Sequence, residues 1–369
     1  MAIFDPASDG VRRFTAGPRA EAVAVDPARD RLYVLHLERP HGSRGAISVL
    51  DLDEGTVLRT VTIGRGPTGI AVEPRSGLVY AVNWTSRSVS VVDPVSGSVT
   101  TIGGSSWGRR GFGWPTDAVA HPDSGRVYVA TTRGVVLVIR GNRLVGHARS
   151  LPSSDDVDLA VHAGKGMLFA AHYPGRTVTA LDLDTLSVGR RLRVPGMAPE
   201  SIAIDARLGL IGVLGLTRDE EAMRLAVLDL SGEEVGSVDL GIGAFDVATV
   251  AGSWLFHVSN SWGDDVVTVA ADGSPPGSAI ESQPALEAGT PLEGSATDDL
   301  SGIVGVRVTY EGGDGKHDVD ARLRCSGSDC RWWAPPPALP GTYAVSVIAT
   351  DRAGNVEAPG APTLLTWKP

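Results

Sequence analysis

The chain has 369 residues, 42% of them apolar but only 5% aromatic, with 46 Gly and 24 Pro. That length allows a large core plus an accessory module, and the Gly and Pro content suits short strands joined by tight turns rather than helices. A formal net charge of −10 excludes a general binder of the nucleic-acid backbone, which needs a basic stripe, and no apolar run approaches the roughly 20 residues of a spanning helix.

In chain order, MAIFDPASDG reads as turn and strand, without the basic and apolar regions of a signal peptide. Residues 11–15 are expected to supply the outer strand of the last repeat and so close a ring. From Ala20 one phrase then recurs: an apolar strand, a Pro- or Gly-containing turn, and a second strand rich in Tyr and Val. Its copies open at Ala20, Pro67, Pro115, Asp156, Pro199 and Ala244, at spacings of 47, 48, 41, 43 and 45 residues. That period is the length of a four-stranded propeller blade. Each copy adds a hairpin such as SVSVVDPVSGSVTTI; the sixth degenerates into SPPGSAIE, whose prolines argue against a ladder strand. The expected fold is all-β: a six-bladed β-propeller over residues 1–278, with seven blades as the alternative.

The phrases GLVYAVNWTSRSVSVVDPVSGSV and GRVYVAT resemble the YVTN-type β-propeller repeat, a Tyr-Val-x-Asn strand followed by a Val-x-Val-Asp-x-x-x-Gly hairpin. The likeness is strong in the second copy and weak in the last three, where Gly215 and Ser259 replace the Asn. What it implies is a fold and not a chemistry; relatives include surface and periplasmic binding proteins and, distantly, propeller lactonases and lyases. After residue 278 the period is lost, and the pair ATDDLSG and ATDRAGN resembles bacterial immunoglobulin-like modules. A β-sandwich is expected over residues 279–369, behind a Pro- and Gly-rich linker at residues 273–284. Cys325 and Cys330 flank a Ser-Gly-Ser-Asp turn, so a disulfide is expected there, with two free thiols as the alternative. The disulfide implies an oxidising compartment: secreted, periplasmic or cell-surface.

In a propeller, the starts of the leading strands and the ends of the second strands share one face. The starts are Glu21, Thr68, Asp117, Asp158, Glu200 and Asp246; the ends are His36, Asn83, Thr131, His172, Gly215 and Ser259. Loops on that face hold Trp84, Trp107, Arg109, Arg110, Phe112, Trp114, Tyr173, Trp262 and His41. Aromatics around a polar centre suit a flat ligand such as a sugar or an aryl group. The leading expectation is an extracytoplasmic protein that binds a glycan or small organic ligand there, or another surface protein. Asn83, Trp84, Trp107, Arg109, Arg110, Trp114, Tyr173 and Trp262 would form its site. The rival is a lyase, lactonase or related hydrolase with His36 or His172 as acid or base and Glu21, Asp158 or Glu200 orienting the imidazole. A divalent cation such as Ca or Mg would sit on Asp117, Asp158 and Asp246; no organic cofactor is expected. A third reading is a purely structural surface module. His121 and His162 fall on the opposite face and read as structural. Asp298, Asp299, Asp351 and Asn355 fit simple turn chemistry, with calcium-binding turns as the alternative.

Overall fold

The computed structural model describes residues 2–5, 10–13, 17, 19–37, 43–105, 107, 111–173, 175–219, 221–260, 265–272, 274–313 and 315–369. Regular structure there is almost wholly β, and from residue 20 to residue 270 it forms antiparallel sheets that follow the repeat. The first sheet holds Ala20–Asp26, Arg31–His36, Arg44–Asp51 and Val57–Arg65. The second holds Pro67–Val72, Val79–Asn83, Ser88–Val92 and Val99–Gly103. The third, fourth and fifth repeat this four-stranded order from Pro115–Ala120, Asp156–His162 and Met197–Asp205. The sixth has three strands, Ala244–Thr249, Leu255–Asn260 and Asp265–Ala270. The leading strands of successive sheets pack on one another from the first sheet to the sixth.

The middle strands explain the repeated phrase. Every residue of VYAVN and SVSVV is buried, whereas the outer strand VTTIG is mostly exposed. Val79 and Ala81 face the first sheet, where they meet Tyr33, Leu35, Ile47 and Val49. Tyr80 and Val82 face the third, where they meet Val127, Val129, Val135 and Leu137. A strand covered on both faces needs apolar residues in both phases of its alternation, and at about 1.5–3 kcal/mol per large buried side chain these shared cores hold sheet to sheet. The repeated Tyr adds a polar tie. Tyr80 donates its hydroxyl to Gly141 O (2.9 Å) and Tyr128 donates to Leu183 O (3.0 Å), each reaching the next sheet's outer hairpin. The hairpins themselves are closed by carboxylates: Asp93 accepts from Val95 N (2.9 Å) and Ser96 N (3.2 Å), and Gly97 supplies the positive φ of 77°.

Two expectations need correction. Among the described residues, Gly10–Arg13 pairs with Ala2–Asp5 in a two-stranded sheet rather than with the sixth sheet. The chain also divides earlier than residue 278, into one unit of residues 1–252 with 256–269 and another of residues 253–255 with 270–369. The expected linker therefore contains a strand, Gly277–Ile280, which begins just past the two prolines.

The C-terminal unit is two sheets around one core. The four-stranded sheet orders Gly277–Ile280, Leu292–Thr297, Asp329–Ala334 and Arg322–Ser326. The five-stranded sheet orders Ala285–Glu287, Thr363–Lys368, Gly341–Asp351, Ile303–Gly312 and Gly315–Asp320. Trp332, Trp367, Tyr310 and Tyr343 fill the space between, and strand alternation leaves Trp333 only half-buried. Cys325 and Cys330 lie opposite each other on paired strands and form the expected disulfide. Among the described residues, no helix is long and apolar enough to cross a membrane.

Candidate functional site

The leading strands carry a belt of carboxylates that bind their neighbours' backbones. Asp117 accepts from Leu159 N (3.1 Å), one strand on. Asp158 accepts from Leu159 N (2.8 Å) and from Ile202 N of the next strand (2.8 Å). In the fifth sheet the belt position falls to Ser201, which accepts from Val247 N (3.3 Å) and donates to Asp246 (2.5 Å). The expected Glu200 stands one residue before the belt position: Ser201 lies two past Pro199 as Asp117 lies two past Pro115, and the ladder shifts register at both places. The half-buried Glu200 carboxyl lies near Asp156, and burial first, then that charge, raises its pKa. Glu21, at a similar irregularity between Ala20 and Ala22, is exposed.

Belt electrostatics follow from this packing. Burial, then the charge of Asp246, pushes the Asp158 carboxyl up to about 6. Asp117 rises well above the usual carboxylate range, by burial first and Asp158's charge second. The pair therefore holds a proton more readily than free carboxylates would. Asp117, Asp158 and Asp246 are brought onto neighbouring strands as expected, but their oxygens serve amides and a hydroxyl. They are not among the described groups whose ligand atoms lie within the 4.8 Å span of one ion.

The two imidazoles lie inside the sheets. His36 is 4% exposed and its Nε2 bonds Ser48 Oγ at 2.9 Å. His172 is 1% exposed, its Nε2 bonds Thr179 Oγ1 at 3.0 Å, and its Nδ1 is buried without a partner. Burial, then the nearby Arg191 charge, lowers its pKa to about 4. Such a ring stays neutral at pH 7 and has no open path to a substrate proton, which general-base work requires. Asn83 belongs to the same set. It is fully buried, and its Nδ2 donates to Ser90 Oγ (3.0 Å) and Ala81 O (3.2 Å). A Cβ on Gly64 would stand 2.5 Å from its amide carbon. His36, Asn83 and His172 thus link second strands to third strands, and the expected contact of Asn83 with a ligand is not available in this arrangement.

The loop aromatics divide. Trp107 is 2% exposed and packs edge-on to Phe112 in the core between the second and third sheets. Trp84 and Trp114 instead stay half-buried and stack on each other, centroids 6.2 Å apart at 25°. Backbone bonds hold both: Trp84 N to Gly66 O (2.8 Å), Trp114 N to Thr132 Oγ1 (3.1 Å) and Thr132 N to Trp114 O (2.9 Å). The guanidinium of Arg87 sits 4.1 Å from the Trp114 ring centroid, a cation–π contact. Arg87 was not foreseen; the turn that returns its N–H to Trp84 O (3.0 Å) is what delivers it. Tyr173 is half-buried at the end of its strand and receives the Ser154 hydroxyl on its carbonyl. Arg109, Arg110, Trp262 and His41 lie outside the described residues.

No known family and no curated protein matches the chain. Solved structures do. Hydrazine synthase of Kuenenia stuttgartiensis is 15% identical over 69% of this chain and 96% of its own, with a TM-score of 0.45. U3-55K is 9% identical over 66% of this chain and 74% of its own, with a TM-score of 0.50. At 9% identity the likeness to U3-55K, a β-propeller-type fold, is one of fold alone.

Proposed function

We propose that this chain is an extracytoplasmic binding protein, a six-bladed YVTN-type propeller followed by an immunoglobulin-like domain. Its ligand is a carbohydrate or small organic ring taken on the Trp84–Trp114–Arg87 platform. The six repeat-aligned sheets support the blade count, although the two-stranded N-terminal sheet fits the seven-bladed alternative. The disulfide supports an oxidising compartment.

The observation that carries the proposal is the half-buried indole stack with a guanidinium against it. An indole face matches the apolar face of a sugar or an aryl ring, and Arg supplies donors for hydroxyl or carboxylate groups. Because backbone bonds anchor both residues and their rings stack on each other, less ordering entropy remains to oppose binding. A hydrolase or lyase reading has less support, since both candidate imidazoles are sealed within the sheets.

The test is a panel of immobilised neutral and uronic-acid oligosaccharides and aryl compounds, followed by titration of any binder with tryptophan fluorescence. Trp84→Ala and Trp114→Ala should each weaken binding at least tenfold, and Arg87→Ala should act most on anionic ligands. A panel without a binder, or variants that bind as wild type does, would overturn the proposal.

A further inference from the structure

The phrases ATDDLSG and ATDRAGN form two turns of the C-terminal unit, one after Leu292–Thr297 and one at the end of Gly341–Asp351. Asp298 Oδ2 caps the first turn by accepting from Leu300 N (3.1 Å) and Gly302 N. Asp351 caps the second, accepting from Asn355 N and Asn355 Nδ2, each at 2.8 Å. Arg352 N donates to Gly302 O (2.9 Å), which pins turn to turn. Asp272 joins them from the segment before the first strand of the unit: Oδ2 accepts from Ser301 N (2.9 Å), and its carbonyl accepts from Asn355 Nδ2 (3.1 Å).

Three carboxylates thus converge at 6%, 7% and 1% exposure for Asp272, Asp298 and Asp351. One oxygen from each lies within 4.8 Å of the others. Among the described residues, none of the three makes an ion pair. Moreover, Asp298 Oδ1 is buried with no hydrogen-bond partner at all, although Oδ2 of the same group is fully used. Buried charge needs a counter-charge or a metal, and an unpaired buried acceptor on a charged group is costlier than an ordinary lost bond.

We propose that Asp272, Asp298 and Asp351 bind a calcium ion within the C-terminal unit. Two oxygens on one Ca²⁺ at about 2.4 Å each can stand at most about 4.8 Å apart, and one oxygen from each of the three carboxylates falls within that limit of the others. Mg²⁺, which sheds its waters reluctantly and is held mostly through them, suits a buried all-protein cluster less well. The ion would balance the negative charges and occupy the free lone pairs of Asp298 Oδ1.

The experiment is calorimetric titration of the chelator-stripped full chain with CaCl₂, with a thermal melt in Ca²⁺ and in EDTA. One ion per chain should bind, and the melt of the C-terminal unit should move upward with Ca²⁺. Asp298→Asn and Asp351→Asn, which keep an acceptor for the turn amides, should each weaken uptake at least tenfold, while Asp158→Asn should leave it unchanged. Near-UV dichroism of buried Trp332 and Trp367 reports whether a variant has folded; if neither has, the wild-type titration decides. Folded wild-type protein that takes up no Ca²⁺ at millimolar concentration would overturn the proposal, as would folded variants that bind it as tightly as wild type.

Discussion

Asp158→Asn separates a charged belt from a merely polar one. In the folded chain the Asp158 carboxyl titrates near 6 rather than at its ordinary 3.8. The folded state therefore binds the proton more tightly than the unfolded state, so between those values wild-type stability falls as pH rises. The difference is about 2 units, or at most about 3 kcal/mol at 1.36 kcal/mol per unit. His172 works in the other direction. Its pKa drops from 6.5 to about 4, so its contribution is present above 6.5 and is lost as pH falls toward 4. The two slopes oppose each other in an overlapping window, and the wild-type curve alone discriminates poorly. The variant-minus-wild-type curve removes His172. Asn retains one acceptor for Ile202 N, and any misfit of its NH₂ against Leu159 N is a constant offset. The difference should rise by about 3 kcal/mol between pH 4 and pH 7, roughly 6–12 °C in melting temperature for a unit of this size. Relief of Asp117, whose own shift depends partly on Asp158, acts in the same direction. Thermal melts at half-unit pH steps, assigned to the N-terminal unit, measure it. A difference flat to within about 0.5 kcal/mol, a fraction of the 1.36 kcal/mol per unit expected of a titrating group, would refute the reasoning.

Asp205→Ala should destabilise by about 3 kcal/mol or more, because buried Asp205 accepts from Arg207 N, Leu208 N and Gly252 N and each orphaned donor costs about 1–3 kcal/mol. Hydrogen exchange should show those three amides losing protection first, and unchanged protection would count against it. Cys325→Ser opens a loop with a sequence separation of 5 and should cost about 2 kcal/mol by loop entropy. Denaturant titration should place that loss in the C-terminal transition, with reductant reproducing it in wild type.

The repeat was legible because its cause is local. A strand packed on both faces must be apolar in both phases, and VYAVN and SVSVV show that directly. What periodicity does not carry is which neighbour covers a given side chain. Asn83, His36 and His172 stand at the strand ends their spacing indicates, yet they are buried and bonded to the third strands of their own sheets. Trp107 and Trp114 lie in one glycine-rich loop, but only Trp114 meets Trp84 across the gap between repeats. Glu200 yields its expected place to Ser201 because the belt lies two residues past the opening Pro, as Asp117 lies past Pro115, and a search for carboxylates alone selects the residue one earlier.

The acidic turns fail to disclose themselves for a related reason. ATDDLSG and ATDRAGN are each explained in full by turn capping, since Asp298 and Asp351 accept their own turns' amides. Capping employs one oxygen of Asp298 and leaves the other idle. Only the arrival of Asp272, far away in sequence, turns two ordinary turns into a site where three buried carboxylates converge and one oxygen of Asp298 is left without a donor. The belt in the N-terminal unit meets the same excess of negative charge differently, by holding protons and binding amides. A carboxylate cluster in this chain is therefore distinguished less by its acid count than by whether every buried oxygen already has a donor.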